Sequence, residues 1–284
     1  MLFKQKNEPA PLTPDVFVRL REFIRERSGL FFPEGRQNLL ADQLLIRLKA
    51  SRLESYDDYL ALLLSPAGKK ELPRLYDAVT TWDTRFFRDP AQLDAFQNVV
   101  VPEALAARGP SRALRVLSAG CSTGEEPYTI AILLREHAGR TGVAFPVDIL
   151  GWDISAAAVE FAQRAVYSNH ALRATPPAIR EKYFTRLEQG QHALRDDVRS
   201  MVTITRVNLA NRTALSTLAD LDVIFCRNVV TYMDDGAKQC LLGQFRNGLR
   251  HGGTLFLGRA ESLHDVATDL GLVQFDGALG YRKE

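Results

Sequence analysis

The chain has 284 residues, enough for one or two domains around a buried core. Its 46% hydrophobic and 25% charged content is that of an ordinary globular protein, and a net charge of +2 excludes a general case for nucleic-acid binding. No apolar stretch reaches the length needed to cross a bilayer, and MLFKQKNEPAP lacks the apolar centre of a signal peptide.

Residues 1–75 hold 13 Lys+Arg against 10 Asp+Glu, and the remainder 23 against 24. The N-terminal part is therefore the half suited to an acidic partner. In DVFVRLREFIRERSG, Val16, Leu20, Phe23 and Ile24 recur at helical spacing and Gly29 offers a stop. Further helices are predicted over 37–51 and 56–64, with no strand signal. A helical domain over 1–75 follows, then an interdomain segment over 76–112.

After Pro110 the pattern changes. ALRVLS (113–118) reads as a buried strand, followed by a glycine turn and a helix to about Glu136. VDILGWD (147–153) is a second strand, and Ser155 caps a helix after it. MVTITRV (201–207), DVIFC (222–226) and GTLFLG (253–258) are further strands, with a helix over 237–250. Strands alternating with helices give a parallel sheet covered on both faces. Asp276-Gly277 between two strand-like runs predicts a terminal hairpin. The polar stretch 185–200 reads as a loop or small insertion.

In such sheets ligands sit at the carboxyl ends of the strands. Gly120 and Gly124 follow the first strand there, where missing side chains let a ligand approach the backbone. The stretch matches neither G-x-G-x-x-G nor the P-loop pattern. Instead Glu125 and Glu126 open the helix, where they would repel a pyrophosphate and suit a cation. Asp153 ends the second strand, where an acid can accept ribose hydroxyls. Together these favour a nucleoside without phosphates and with a positive charge, as in S-adenosylmethionine. Asn208-Leu209 and Arg227-Asn228 follow two other strands at the same edge. Cys121, Cys226 and Cys240 are odd in number and widely spaced, which reads as reduced thiols in a cytoplasm; the histidines show no metal-ligand spacing.

TRFFRDP (84–90), SAGCSTGEEPYTIA (118–131), FCRNVVTYMD (225–234) and GTLFLGRAES (253–262), in this order, resemble the chemotaxis receptor methyltransferases, the CheR family. The resemblance implies an α/β fold: a Rossmann-like class I methyltransferase sheet over 113–284, with a small all-helical N-terminal domain. It implies transfer of methyl from S-adenosyl-L-methionine to glutamate side chains on the cytoplasmic helices of bacterial chemoreceptors, leaving S-adenosyl-L-homocysteine. No nucleic acid, metal or membrane insertion is expected. On the family pattern Thr84 and Arg88 touch the cofactor and reaction centre. Glu126 binds the methionine end and Asp153 the ribose. Gly120, Asn208, Leu209, Arg227 and Asn228 line the pocket, and Tyr232 stands beside the transferring methyl. On the 37–51 helix extended by one residue, Arg36, Gln43 and Arg47 fall within a narrow arc, and Arg36 and Arg47 become candidates for the acidic substrate.

Two departures stand out. The family usually has asparagine where Trp82 stands, and an indole cannot reproduce both sides of an amide contact. A degenerate member that binds cofactor or a signalling complex without catalysis is therefore the competing reading. The 185–200 segment is also short for the family's β subdomain, which puts docking of a receptor peptide tether in doubt.

Overall fold

Thr13 starts the first helix, α1 (Pro14–Ser28), by accepting the Val16 N–H on its hydroxyl, and Pro14 takes the first turn, where its missing N–H costs nothing. Gly29, at φ 73°, ends it by returning its N–H to the Arg25 carbonyl. The structure is a computed structural model that describes residues 10–109, 111–263 and 269–284. Three more helices follow: α2 (Gln37–Ser51), α3 (Tyr56–Leu64) and α4 (Gly68–Val79). Leu20 and Ile24 of α1, Leu40, Leu44 and Leu48 of α2, Tyr59 and Leu63 of α3, and Leu75 of α4 form their common core. Each such side chain contributes roughly 1.5–3 kcal/mol by leaving water. The sequence pattern gave no sign of α4, which carries Pro73 in its interior.

These helices make one of two compact units, running to Thr81 rather than 75 and taking in Tyr232–Asp234. That short segment is tied to α1 and the chain after it: the Phe31 N–H reaches the Tyr232 carbonyl at 2.8 Å, Leu30 bridges Met233, and Arg25 pairs with Asp234 at 3.2 Å.

The second unit holds α5 (Pro90–Ala95), a π-helical turn (Phe96–Val100) and α6 (Val101–Arg108), then β1 (Leu114–Ala119), α7 (Glu125–Thr141), β2 (Val147–Asp153) and α8 (Ala156–Arg164). After these come β3 (Val166–Ser168), α9 (Pro177–Tyr183), β4 (Phe184–Arg186), β5 (Gln191–Leu194), α10 (Asp196–Arg199), β6 (Val202–Arg206), α11 (Arg212–Leu215) and β7 (Leu221–Cys226). The unit closes with α12 (Asp235–Gly248), β8 (Leu249–Leu257), β9 (Leu270–Phe275) and β10 (Ala278–Lys283). Seven strands form one sheet in the order β6-β2-β1-β7-β8-β10-β9. The first five are parallel, and β10 pairs antiparallel with both β8 and β9. Gly277, at φ 69°, turns the β9–β10 hairpin. The central parallel strands β1 and β7 are buried almost throughout, as their continuous apolar runs require, while the edge strand β6 is largely exposed, and Phe96, Phe225 and Phe256 pack in series on the sheet. Chain order reverses at β1, with β2 on one side and β7 on the other, and this is where an open sheet of this kind leaves a crevice.

A second sheet, in the order β3-β5-β4, is antiparallel. It starts at Val166, well before the 185–200 insertion expected from sequence. Strands of three and four residues are too short to show alternation, so their apolar members, Tyr167, Phe184 and Leu194, read as scattered. The insertion is therefore longer than the 185–200 segment expected from sequence.

Candidate active site at the strand ends

Past β1 the chain makes a tight turn before α7. Gly120 and Cys121 both give their N–H to the Trp152 carbonyl, at 2.8 and 3.0 Å, which locks the turn to the end of β2. Gly120 has φ 76°, and a β-carbon there would lie 2.3 Å from Cγ2 of Val229. Gly124 has φ 92°, and a β-carbon would meet Ala162 at 2.8 Å and the Tyr167 hydroxyl at 3.0 Å. Both positions need glycine for backbone and space alike. Tyr167, on β3, donates its hydroxyl to the Thr123 carbonyl at 2.8 Å, and Phe86 of TRFFRD packs edge-on against Tyr167 and Phe184. The small sheet thus buttresses the glycine turn.

The two glutamates that open α7 part company. Glu125 is buried and accepts the Thr123 hydroxyl at 2.6 Å; burial pushes its carboxyl up, against the opposing pull of that bond. Glu126 faces Ser118 and Arg227. The Ser118 hydroxyl donates to Oε1 at 2.6 Å, and Arg227 donates from Nε to Oε2 at 2.5 Å. Asp153, at the end of β2, accepts the Ser122 N–H at 2.8 Å and the Ser155 N–H at 2.9 Å, so its carboxylate joins the turns after β1 and β2.

Arg227 and Asn228 follow β7. The Arg227 guanidinium also donates to the Arg88 carbonyl at 2.8 Å and lies 3.8 Å from Asp89. Arg88 itself is turned on its own segment, with Nη1 on the Asp83 carbonyl at 2.7 Å and Nη2 3.6 Å from the Asp83 carboxylate. Thr84 is half-buried on the same segment. Asn208 folds its side-chain oxygen onto the Ala210 N–H at 2.9 Å, and Leu209 beside it is buried. Phe87, Asp89, Ser122 and Asn228 all hold positive φ values of 50–60° without being glycine. Such strain, about 1–3 kcal/mol each, gathers where a site over-determines its backbone.

Gly120, Glu126, Asp153 and Arg227 thus lie in the turns after β1, β2 and β7, with Arg227 bonded to Glu126 and to the Arg88 carbonyl and Asn228 next to it in the chain. Three candidates belong to the helical unit. Tyr232 is grouped with the helical unit, its hydroxyl 3.4 Å from that of Thr81. Arg36 is an exposed residue at the start of α2. Arg47 is not free for an acidic substrate, contrary to the reading of the helix as a basic face. Its Nε donates to Glu71 of α4 at 2.8 Å, and the Tyr59 hydroxyl donates to the same oxygen at 3.1 Å. A partner on a different helix leaves no trace in local spacing. Sequence reasoning also passed over Glu261, whose carboxylate takes the N–H groups of Asn228, Thr231 and Gly258. Its signal was the spacing Gly258-Arg-Ala-Glu261 just past a strand end. Cys121 and Cys226 are buried, and desolvation pushes both thiols well up, away from the reactive thiolate.

A glycine turn, two carboxylates and a parallel sheet with an antiparallel end, with an arginine that serves a glutamate, define an S-adenosylmethionine-dependent methyltransferase. The donor set fits that cofactor: carboxylate oxygens for an ammonium and for ribose hydroxyls, at the ends of adjacent parallel strands. The family description "CheR methyltransferase, SAM binding domain" matches residues 82–278, and "CheR methyltransferase, all-alpha domain" matches residues 15–80. The chain belongs to the CheR methyltransferase family. It is 31% identical to "Chemotaxis protein methyltransferase 2" of Vibrio cholerae serotype O1, over 96% of this chain and 94% of that one. It is 29% identical to "Chemotaxis protein methyltransferase" of Borreliella burgdorferi, over 89% of each. It is also 35% identical to "Probable biofilm formation methyltransferase WspC" of Pseudomonas putida, over 86% of this chain and 56% of that one.

Proposed function

We propose that this methyltransferase acts on glutamate side chains in the cytoplasmic helices of bacterial chemoreceptors, forming glutamyl methyl esters in the cytoplasm. The observation that carries the reading is Glu126, fixed between Ser118 and Arg227 where phosphate-binding loops place cations. S-adenosylmethionine supplies a methyl on a sulfonium; the carbon passes to a carboxylate oxygen as the S–C bond breaks, and the neutral thioether leaves.

The chain's own residues then have few tasks. A glutamate carboxylate, with a pKa of about 4.3, is ionised at neutral pH and needs no general base. Glu126 receives the cofactor's ammonium and Asp153 its ribose hydroxyls. Gly120, Asn208, Leu209 and Asn228 shape the pocket wall. Arg227 keeps Glu126 aimed. Arg88 orients the acceptor carboxylate through charge-assisted hydrogen bonds, exchanging its contact with Asp83 for the substrate. Thr84 and Tyr232 take their roles from the family pattern. In-line positioning is worth up to roughly 7–11 kcal/mol in favourable cases.

The test uses methyl-labelled cofactor and purified receptor cytoplasmic domains. Label that enters the receptor and is released by mild base is expected. Base-stable label would point to a methylamine and overturn the ester. Tight binding of S-adenosylhomocysteine without any transfer would favour a binding-only member.

A further inference from the structure

We propose that Glu261 is a positioning residue for the cofactor pocket: its carboxylate fixes the loop after β7 and thereby sets Arg227 and Val229 against the glycine turn. The inference rests on the assignment of that pocket to S-adenosylmethionine.

Three backbone donors converge on this one side chain. Oε2 accepts the N–H of Asn228 and of Gly258, both at 2.8 Å, and Oε1 accepts that of Thr231 at 3.0 Å. The loop after β7 and the end of β8 therefore share one anion. Asn228 sits at φ 60°, a region costly for a side-chain-bearing residue, and the bond to its N–H helps hold it there. A one-turn bond from the Glu261 N–H to the Gly258 carbonyl, at 2.9 Å, brings the side chain back over the strand end. Position 258 must then be glycine: a β-carbon would lie 2.7 Å from the Glu261 oxygen and 2.9 Å from the Asn228 nitrogen.

The far side of the same loop forms the pocket. Arg227, next to the clamped Asn228, holds Glu126 and the Arg88 carbonyl. Val229 lies against Gly120 so closely that no β-carbon fits between them. A slack loop would release both contacts together. Charge-assisted bonds to backbone N–H groups are about twice as strong as neutral ones, which suits a clamp. Glutamine offers one oxygen and one NH2 group, so at least one N–H would face a donor. Aspartate is a methylene too short to span both strand ends.

The experiment compares wild type, Glu261→Gln and Glu261→Asp by calorimetric titration with S-adenosylhomocysteine, methylation kinetics, thermal melting and amide NMR. Expected for Glu261→Gln is a roughly tenfold rise in Kd and in KM for S-adenosylmethionine, with a smaller change in KM for the receptor. The amide signals of Asn228, Gly258 and Thr231 move upfield together. Glu261→Asp shows the same pattern and carries the test if the glutamine variant does not fold. A lowered Tm with unchanged Kd and KM makes Glu261 merely structural and overturns the inference alone. Wild type that binds no S-adenosylhomocysteine overturns the pocket assignment, and the inference with it.

Discussion

Oε2 of Glu126 and Nε of Arg227 lie 2.5 Å apart, although the two residues are 101 positions apart in the chain. Only 11% of the Glu126 side chain and 3% of the Arg227 side chain meet solvent, so neither charge is hydrated enough to stand alone. Removing one partner of such a pair leaves the other uncompensated, at about 3–5 kcal/mol. Arg227→Ala should therefore lower unfolding free energy by a few kcal/mol and weaken S-adenosylhomocysteine binding at least about tenfold. Glu126→Gln keeps the shape but leaves the buried Arg227 with Asp89, 3.8 Å away, as its anion, so it should weaken binding and lower stability together. Denaturant titration beside calorimetry separates the two effects.

Gly124→Ala tests the turn from another side. The φ of 92° strains any other residue by about 1–3 kcal/mol. The new methyl would also meet Ala162 and the Tyr167 hydroxyl. Lower Tm and weaker cofactor binding are expected together. Gly139, in the last turn of α7, is the control: a β-carbon there meets nothing within 4 Å, and alanine should be neutral or stabilising.

Arg47 should behave as part of the helical unit's interior. Arg47→Ala leaves the buried Glu71 with Tyr59 and with Arg74, an exposed cation 3.5 Å away, so the loss should fall toward the lower end of about 3–5 kcal/mol. Arg47→Glu sets two carboxylates side by side and should cost more. Melting curves check both. A variant of normal stability that had lost only receptor methylation would restore the substrate-facing reading.

Acid should loosen the small sheet. His192 of β5 is buried, and its imidazole is held below the ordinary value of 6.5, first by burial and then by Arg180 and Arg186. Arg180 donates to Nε2 at 2.6 Å, which requires the neutral ring, and Asn169 lies 3.0 Å from the same nitrogen. Since the folded form resists protonation, the unfolded chain gains the proton first. Stability is complete above pH 6.5 and declines as pH falls from there through the folded pKa. Amide exchange at Tyr167 and Ala193 should quicken over that window while β1 stays protected. Glutamine at position 192 should flatten the response. His137 of α7 is depressed too, by burial and Arg140, which makes residue-resolved exchange a better readout than Tm.

The sheet was largely legible in the sequence because parallel strands buried on both faces must be continuous apolar runs. VDILGWD coincides with β2, and the predicted 37–51 and 56–64 helices coincide with α2 and α3. Less legible was whatever depends on a distant partner. β8 begins at Leu249, ahead of the glycines taken as its start, because Leu249 pairs with Leu221 of β7. Glu125 and Glu126 look alike in the sequence. Only the fold turns one into the interior toward Thr123 and leaves the other with Ser118 and Arg227. Arg47 offered a helical arc that favoured an exposed role, and Glu71 on another helix decided otherwise.

The placement of β10 between β8 and β9 has a consequence for biosynthesis. Strands β6, β2, β1, β7 and β8 can assemble as the ribosome delivers them, but the neighbour that β8 needs emerges after β9. Until residue 283 clears the exit tunnel, the nascent sheet shows a bare hydrogen-bonding rim along β8. Chaperone capture or mispairing of stalled chains should concentrate there.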